Sequence, residues 1–220
     1  MASTATPYGL QPVNLIGGQA FNGGVIREFK VAANNSAAIF NGDLVVLSSA
    51  GQPSAVGSSP VAIKIPATSA DATAGIVGVC VGSRYVNSEG QPTYNNYLPA
   101  NLITGGATDV YVRVMDDPDA LLQIKGTAAL GTFNSGTDGS GWPGAIGKNA
   151  ALGFGTAGVA STGKSGMNLV VGTNGASLAA TSTLAVRIVD VVAGTESDDY
   201  PEFIVKLNVG VHSYTNSLGV

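Results

Sequence analysis

His212 and Cys80 are the only histidine and the only cysteine in 220 residues, so a near-neutral base and a thiolate have one candidate each. A hydrolase triad would have to take its base from His212. That residue falls on the polar parity of the last strand-like segment and reads as an exposed terminal side chain. Cys80 lies inside a valine-rich run and reads as a small buried hydrophobe rather than a nucleophile. With no second cysteine, an intrachain disulfide is excluded. Two carboxylate clusters complete the inventory. Asp116, Asp117 and Asp119 surround Pro118, which suggests a calcium loop, but a dedicated calcium loop needs six to eight oxygens and a terminal glutamate. Turn chemistry explains them better, with Asp117 capping a turn that Pro118 begins. Glu196, Asp198, Asp199 and Glu202 form an acidic loop suited to a basic partner. Without neighbouring sugar-binding aromatics they do not read as a glycosidase pair.

Two glycine motifs imitate phosphate-binding loops. Gly158, Gly163, Lys164 and Ser165 have the spacing of a P-loop, and Gly153, Gly155 and Gly158 that of a dinucleotide fingerprint. Both chemistries need a helix whose N-terminus faces the phosphates. The residues after Ser165 include Gly166, Val170, Val171, Gly172 and Gly175, which do not make that helix. Nucleotide binding is therefore not expected, and neither a cofactor nor a metal is.

The elements around these residues read as strands. Val110, Val112 and Val114 alternate with Tyr111, Arg113 and Met115, the period-2 pattern of a half-buried sheet. Phe203, Val205, Leu207, Val209 and Val211 alternate in the same way, and Leu184 to Val192 does so with a break near Val189 that suggests a bulge. Val77, Val79 and Val81 share one parity, Ile76 and Cys80 the other. Asn41-Gly42-Asp43 lies between two apolar pairs and reads as a hairpin turn. No helix of three turns is expected. The fold class is all-β, a sandwich or barrel-like domain of about eight to ten short strands spanning residues 25–220. Within it, residues 126–175 are so rich in Gly, Ser and Thr that they read as an insertion or long loop, the alternative being a tandem of short weak strands. Residues 1–24 mix Pro7, Pro12 and paired glycines with large apolar side chains. They read either as an extended arm laid on another protein or as an irregular strand of the same domain.

Composition narrows the function. Charged residues make up 11% of the chain, less than half of the usual ~25%. The net charge is −4, and the ten Lys and Arg are scattered, which argues against a nucleic-acid surface. Met1 to Thr6 carry no positive charge and no apolar core, so a secretory signal is not expected. No apolar run approaches ~18 residues, so neither is a membrane helix. A surface this poor in charge, with so few titratable groups, fits a chain that rests on another protein better than one that catalyses a reaction.

Several stretches together carry a likeness. Pro7-Tyr8-Gly9-Leu10-Gln11-Pro12-Val13, Gly42-Asp43-Leu44-Val45, Val81-Gly82-Ser83-Arg84-Tyr85 with Tyr94 to Pro99, and Val114-Met115-Asp116-Asp117-Pro118-Asp119-Ala120 resemble head decoration, or cement, proteins of tailed bacteriophages, podoviruses among them. The similarity covers about the first 125 residues and the final strands. It implies a β-rich virion protein on the capsid exterior, made in the bacterial host cytoplasm. There it would clamp neighbouring major capsid protein subunits, with no catalytic residues, small-molecule substrate or membrane. The alternatives are a tail- or fibre-associated virion protein and, behind it, a carbohydrate-binding module or enzyme. Capsid symmetry favours association with itself, as a trimer before a dimer. The expected contact residues are Tyr8, Leu10, Val13, Leu15 and Phe21 in the arm, and Trp142 in the Gly-rich region.

Overall fold

A computed structural model describes residues 5–16, 26–32, 35–47, 63–64, 76–131, 142–154, 156–208, 212 and 215. The strands are β1 (Gln11–Leu15), β2 (Ile26–Lys30), β3 (Leu44–Leu47), β4 (Ile63–Lys64), β5 (Ile76–Val86), β6 (Pro92–Asn95), β7 (Thr108–Met115), β8 (Ala120–Lys125), β9 (Asn149–Gly153), β10 (Asn168–Val170), β11 (Val186–Val191) and β12 (Glu202–Leu207). One short helix, α1 (Trp142–Ala145), precedes β9. The first sheet runs β1-β8-β12-β11-β9-β10 and the second β2-β7-β5-β3-β4, with β6 also paired to β5. Every strand pairing is antiparallel. The fold is an all-β sandwich.

Alternation in the sequence builds the two cores. Leu122 and Ile124 of β8, Phe203, Val205 and Leu207 of β12, and Val186 and Ile188 of β11 meet Leu44, Ile76, Val79 and Met115 between the sheets. Each of these fully buried side chains stabilises the fold by about 1.5–3 kcal/mol before entropy is subtracted. The outer face of the second sheet carries a second core. Phe29, Val45, Val77, Cys80, Val110, Val112 and Val114 lie there under Ile39, Leu98, Leu102 and Ile103. Reciprocal backbone bonds between Ile39 and Leu98 hold that cover in place.

Two bulges set which side chains face which core. In β11, Ile188 pairs with Val205 and Asp190 with Ile204, so the register shifts at Val189 as its sequence suggests. In β5, Val45 pairs with Gly78 but Val46 with Ile76, leaving Val77 as the extra residue. The parity read from the sequence is corrected here. Ile76 joins Val79 between the sheets, while Val77 joins Cys80 in the outer core. Gly78 permits the close approach, since a Cβ on it would lie 2.0 Å from the Met115 carbonyl oxygen.

Three expectations change with the fold. For its described part, residues 5–16, the N-terminal segment is an internal edge strand and not an arm. β1 pairs with β8, and Leu10 is fully buried. Asn41-Gly42-Asp43 does make a turn, closed by Asp43 N–H to the Phe40 carbonyl at 3.0 Å, but it does not join a hairpin. Ile39 bridges Leu98 and Asn41 bridges Lys164, whereas β3 pairs with β5 and β4. Residues 126–175 are no insertion where they are described, because Leu130, Ala145, Ala150, Leu152, Met167, Leu169 and Val171 belong to the inter-sheet core. Small residues let short strands pack here without the bulky alternation that marks β7 and β12.

Leu10→Ala tests the place of the N-terminal segment. The substitution opens a cavity where the side chain is fully buried and should lower unfolding free energy by about 2–5 kcal/mol in urea titration. A loss below about 0.5 kcal/mol would make the segment a detachable arm.

Candidate interaction surface

The residues with chemical potential are committed to the fold. Ser165 donates its hydroxyl to Asp43 Oδ1 at 2.5 Å and accepts from the Met167 N–H at 3.0 Å. Asp43 Oδ2 accepts from the Phe40 N–H at 2.7 Å, and its backbone carbonyl accepts from the Cys80 N–H at 2.8 Å. Burial pushes the Asp43 carboxyl above the usual range, while the Ser165 and Phe40 hydrogen bonds pull it back. Cys80 is fully buried, which pushes its thiol up to about 12, so no thiolate forms near neutral pH. The P-loop-like stretch closes on itself, with Val159 and Lys164 bridged as an antiparallel pair, and the chain then enters β10 rather than a helix.

The aspartates behave as turn residues. Asp117 Oδ1 accepts from the Asp119 N–H at 2.7 Å in the β7–β8 connection, as its sequence context suggests. Asp116 pairs with Arg27, and Asp119 with Lys206 at 2.5 Å. Glu202 lies 3.7 Å from Lys125 and accepts from Gln123 Nε2 at 2.5 Å. Among the described residues, no three His, Cys, Asp or Glu are grouped to hold a metal ion. Nor is any described helix long and apolar enough to cross a membrane.

His212 is not exposed. Its side chain is buried, its Nε2 lies 3.2 Å from the Asp116 carbonyl oxygen, and its backbone bridges Ile76. The bulge in β5 and the turn after β7 close over it, which strand parity alone does not show.

The expected contact residues separate once placed. Leu10 lies in the core and is unavailable to a partner, and Leu15 is partly buried against that core. Tyr8 is half-buried. Lys125 Nζ and Lys164 Nζ stand 5.9 and 5.7 Å from its ring centroid, and burial followed by the Glu202 charge raises its pKa. Val13 is the extra residue of a bulge, since Pro12 pairs with Leu122 and Asn14 with Leu121. It is 46% exposed, and Ile16, the residue just after the strand, is 51% exposed. β1 has a hydrogen-bonded neighbour on one side alone among the described strands. Phe21 and the Trp142 side chain lie outside the described residues, although the Trp142 backbone opens α1.

One surface feature was missed in the sequence. Lys30 pairs with Tyr111, Tyr111 with Arg84, and Arg84 with Tyr94, which gives a row of alternating cations and tyrosines across β2, β7, β5 and β6. Arg113 and Glu28 lie opposite each other in the next row. The parity of Tyr111 and Arg113 was readable, but the register that aligns four non-consecutive strands was not. No family model, curated protein or solved structure matches the chain.

The burial of His212 makes a pH prediction. Desolvation lowers its pKa below the ordinary 6.5, and the Asp116 carbonyl and carboxylate oppose this only in part. Below 6.5 the unfolded chain then binds more protons than the folded one. The stabilisation is fully present above about pH 6.5 and is lost as pH falls through the depressed folded value. Urea midpoints should therefore fall between pH 7.5 and pH 5, and His212→Gln should flatten that part of the profile. An unchanged slope in the variant would place the titrating group elsewhere.

Proposed function

We propose that this chain is a structural virion protein. It binds the outer surface of a phage capsid and stabilises it by bridging neighbouring major capsid protein subunits, without catalysing a reaction. The observation that carries this reading is the edge of β1, where Val13 and Ile16 are about half exposed while Leu10 fixes the strand in the core. An edge strand with exposed apolar residues is a surface for pairing that soluble monomers usually blunt with charge. Here Pro12 and the bulge interrupt the edge without adding charge. A rigid apolar strand can add to a sheet of a partner and fill its grooves.

The second support is chemical. His212, Cys80, Asp43 and Ser165 are buried, and each has a structural hydrogen bond that accounts for its presence. A cement protein needs contact area and a stable scaffold. The sequence likeness to capsid decoration proteins includes Pro7 to Val13, which leads into this edge, and Gly42 to Val45, whose Gly42 carbonyl accepts from the Leu10 N–H. Each copy can bind modestly, because a shell offers many sites and neighbouring copies reinforce one another.

Because Leu10 ties the segment to the core, the test uses point variants rather than truncation. Val13→Asp with Ile16→Asp should weaken binding to purified mature shells by at least ~30-fold, equivalent to about 2 kcal/mol at an interface core. The melting temperature should stay within a few degrees. Failure of the parent chain to bind shells, or undiminished binding by the double variant, would overturn the reading. Assembly into tubes or fibres without shell binding would favour a tail component.

A further inference from the structure

Beyond the β1 edge, the second sheet presents a face whose charge opposes that of the chain as a whole. Lys30, Arg84 and Arg113 lie there with Glu28, and with Asp109 near the start of β7, three cations to two carboxylates in a protein of net charge −4. The face is also pre-organised. Arg84 donates from Nε to both Glu28 carboxylate oxygens, at 3.2 and 3.0 Å, and from Nη2 to Oε2 at 2.8 Å. Its guanidinium carbon stands 4.5 Å from the Tyr111 ring centroid. Tyr94, its other cross-strand neighbour, is 71% exposed, more than any other large hydrophobic residue described. Arginine and tyrosine held in this way lose little entropy when a partner docks, and they are the residue types that dominate interface energies.

The same chain carries the complementary element. The loop between β11 and β12 holds Glu196, Asp198 and Asp199, and no Lys or Arg occurs between Arg187 and Lys206. Asp199 is exposed, and none of the three carboxylates forms an ion pair among the described residues. The loop is braced from within, Glu196 accepting from the Gly194 N–H at 2.7 Å and Thr195 Oγ1 donating to the Val192 carbonyl at 2.8 Å. It is therefore a braced acidic loop, with Glu196 and Asp198 partly exposed and Asp199 exposed.

We infer that the Lys30–Tyr111–Arg84–Tyr94 face is the socket for the acidic β11–β12 loop of a second copy of this chain. Socket and loop are different surfaces, on different sheets. The contact is therefore head-to-tail, the kind that closes into a ring such as a trimer when the rotation per copy divides a full turn. Opposite charges at its centre fix the register and make association sensitive to salt. The β1 edge takes no part, so binding to a shell and binding between copies are separable.

Sedimentation velocity on the full chain tests this with a charge swap. The parent chain should self-associate at about 50 mM NaCl and at least ~10-fold more weakly at about 500 mM. Lys30→Glu with Arg113→Glu, or Asp198→Lys with Asp199→Lys, should each weaken association at least ~30-fold. A single chain carrying all four substitutions should recover it, which a misfolded variant could not do, and an equimolar mixture of the two variants should associate through alternating contacts more tightly than either variant alone. If the Lys30→Glu, Arg113→Glu chain does not fold, Lys30→Gln with Arg113→Gln replaces it as the socket variant. Loss of association in that variant, with parent-like melting, supports the socket, and retained association overturns it. Val13→Asp with Ile16→Asp should leave self-association unchanged. A parent chain that stays monomeric to about 1 mM, association indifferent to both half-swaps, or half-swaps that do not rescue each other would overturn the proposal.

Discussion

Four chain segments meet at Asp43, and the sandwich depends on that junction. The Leu10 N–H donates to the Gly42 carbonyl at 2.9 Å, the Gly42 N–H to Cys80 at 2.8 Å, and the Ser165 N–H to Asn41 at 2.8 Å. The side-chain bond between Ser165 and Asp43 closes the set. These contacts join the strand that opens the first sheet, the turn before β3, the middle of β5 and the run into β10. Glycine is required twice. Gly9 and Gly42 both have positive φ, and a Cβ on Gly9 would stand 2.5 Å from the Ser165 Cβ and 2.8 Å from the Gly42 carbonyl oxygen. Burying a carboxyl group here is tolerable because both of its oxygens and its carbonyl have donors.

That junction commits Asp43 and Ser165 to holding the two sheets and their connections together. The hydrogen bonds of these two side chains run to each other and to the backbone. What the fold leaves outward is an apolar edge at β1, a cation–tyrosine face on the second sheet and an acidic loop on the first. Cross-strand pairing holds the first two, and internal hydrogen bonds brace the third. Rigid surfaces lose little conformational entropy when they dock, which suits a protein whose proposed task is to be held in place.

The alternation of β7 and β12, the bulge in β11 and the Asp117 turn were legible, since each depends on residues near in sequence. Val110, Val112 and Val114 all face the outer core, and Phe203, Val205 and Leu207 the inner one, as their spacing requires. The N-terminal segment was ambiguous because Pro7, Pro12 and the glycines obscure a strand whose partner strand among the described residues lies more than a hundred residues away. The Gly-rich region concealed β9 and β10 because alanine and glycine carry no amphipathic signal. Leu152, Met167 and Leu169 were visible but isolated. His212 was misplaced because its burial is made by the Asp116 turn and by β5, neither of which its own strand parity can report. In each case the missing information is long-range register, which hydrophobic pattern fixes only within a strand.

The central claim, that the N-terminal segment, the Asp43 turn and the run into β10 are one cooperative unit with the sheets, is tested most directly by native-state hydrogen exchange. The amides of Leu10, Gly42, Cys80 and Ser165 should open with the same free energy, and the same denaturant dependence, as those of Phe203 and Val205 at the centre of the inter-sheet core. Exchange of Leu10, Gly42 and Ser165 through an opening several kcal/mol cheaper than that of β12 would contradict the account. It would leave residues 5–16 as an arm merely resting on the domain.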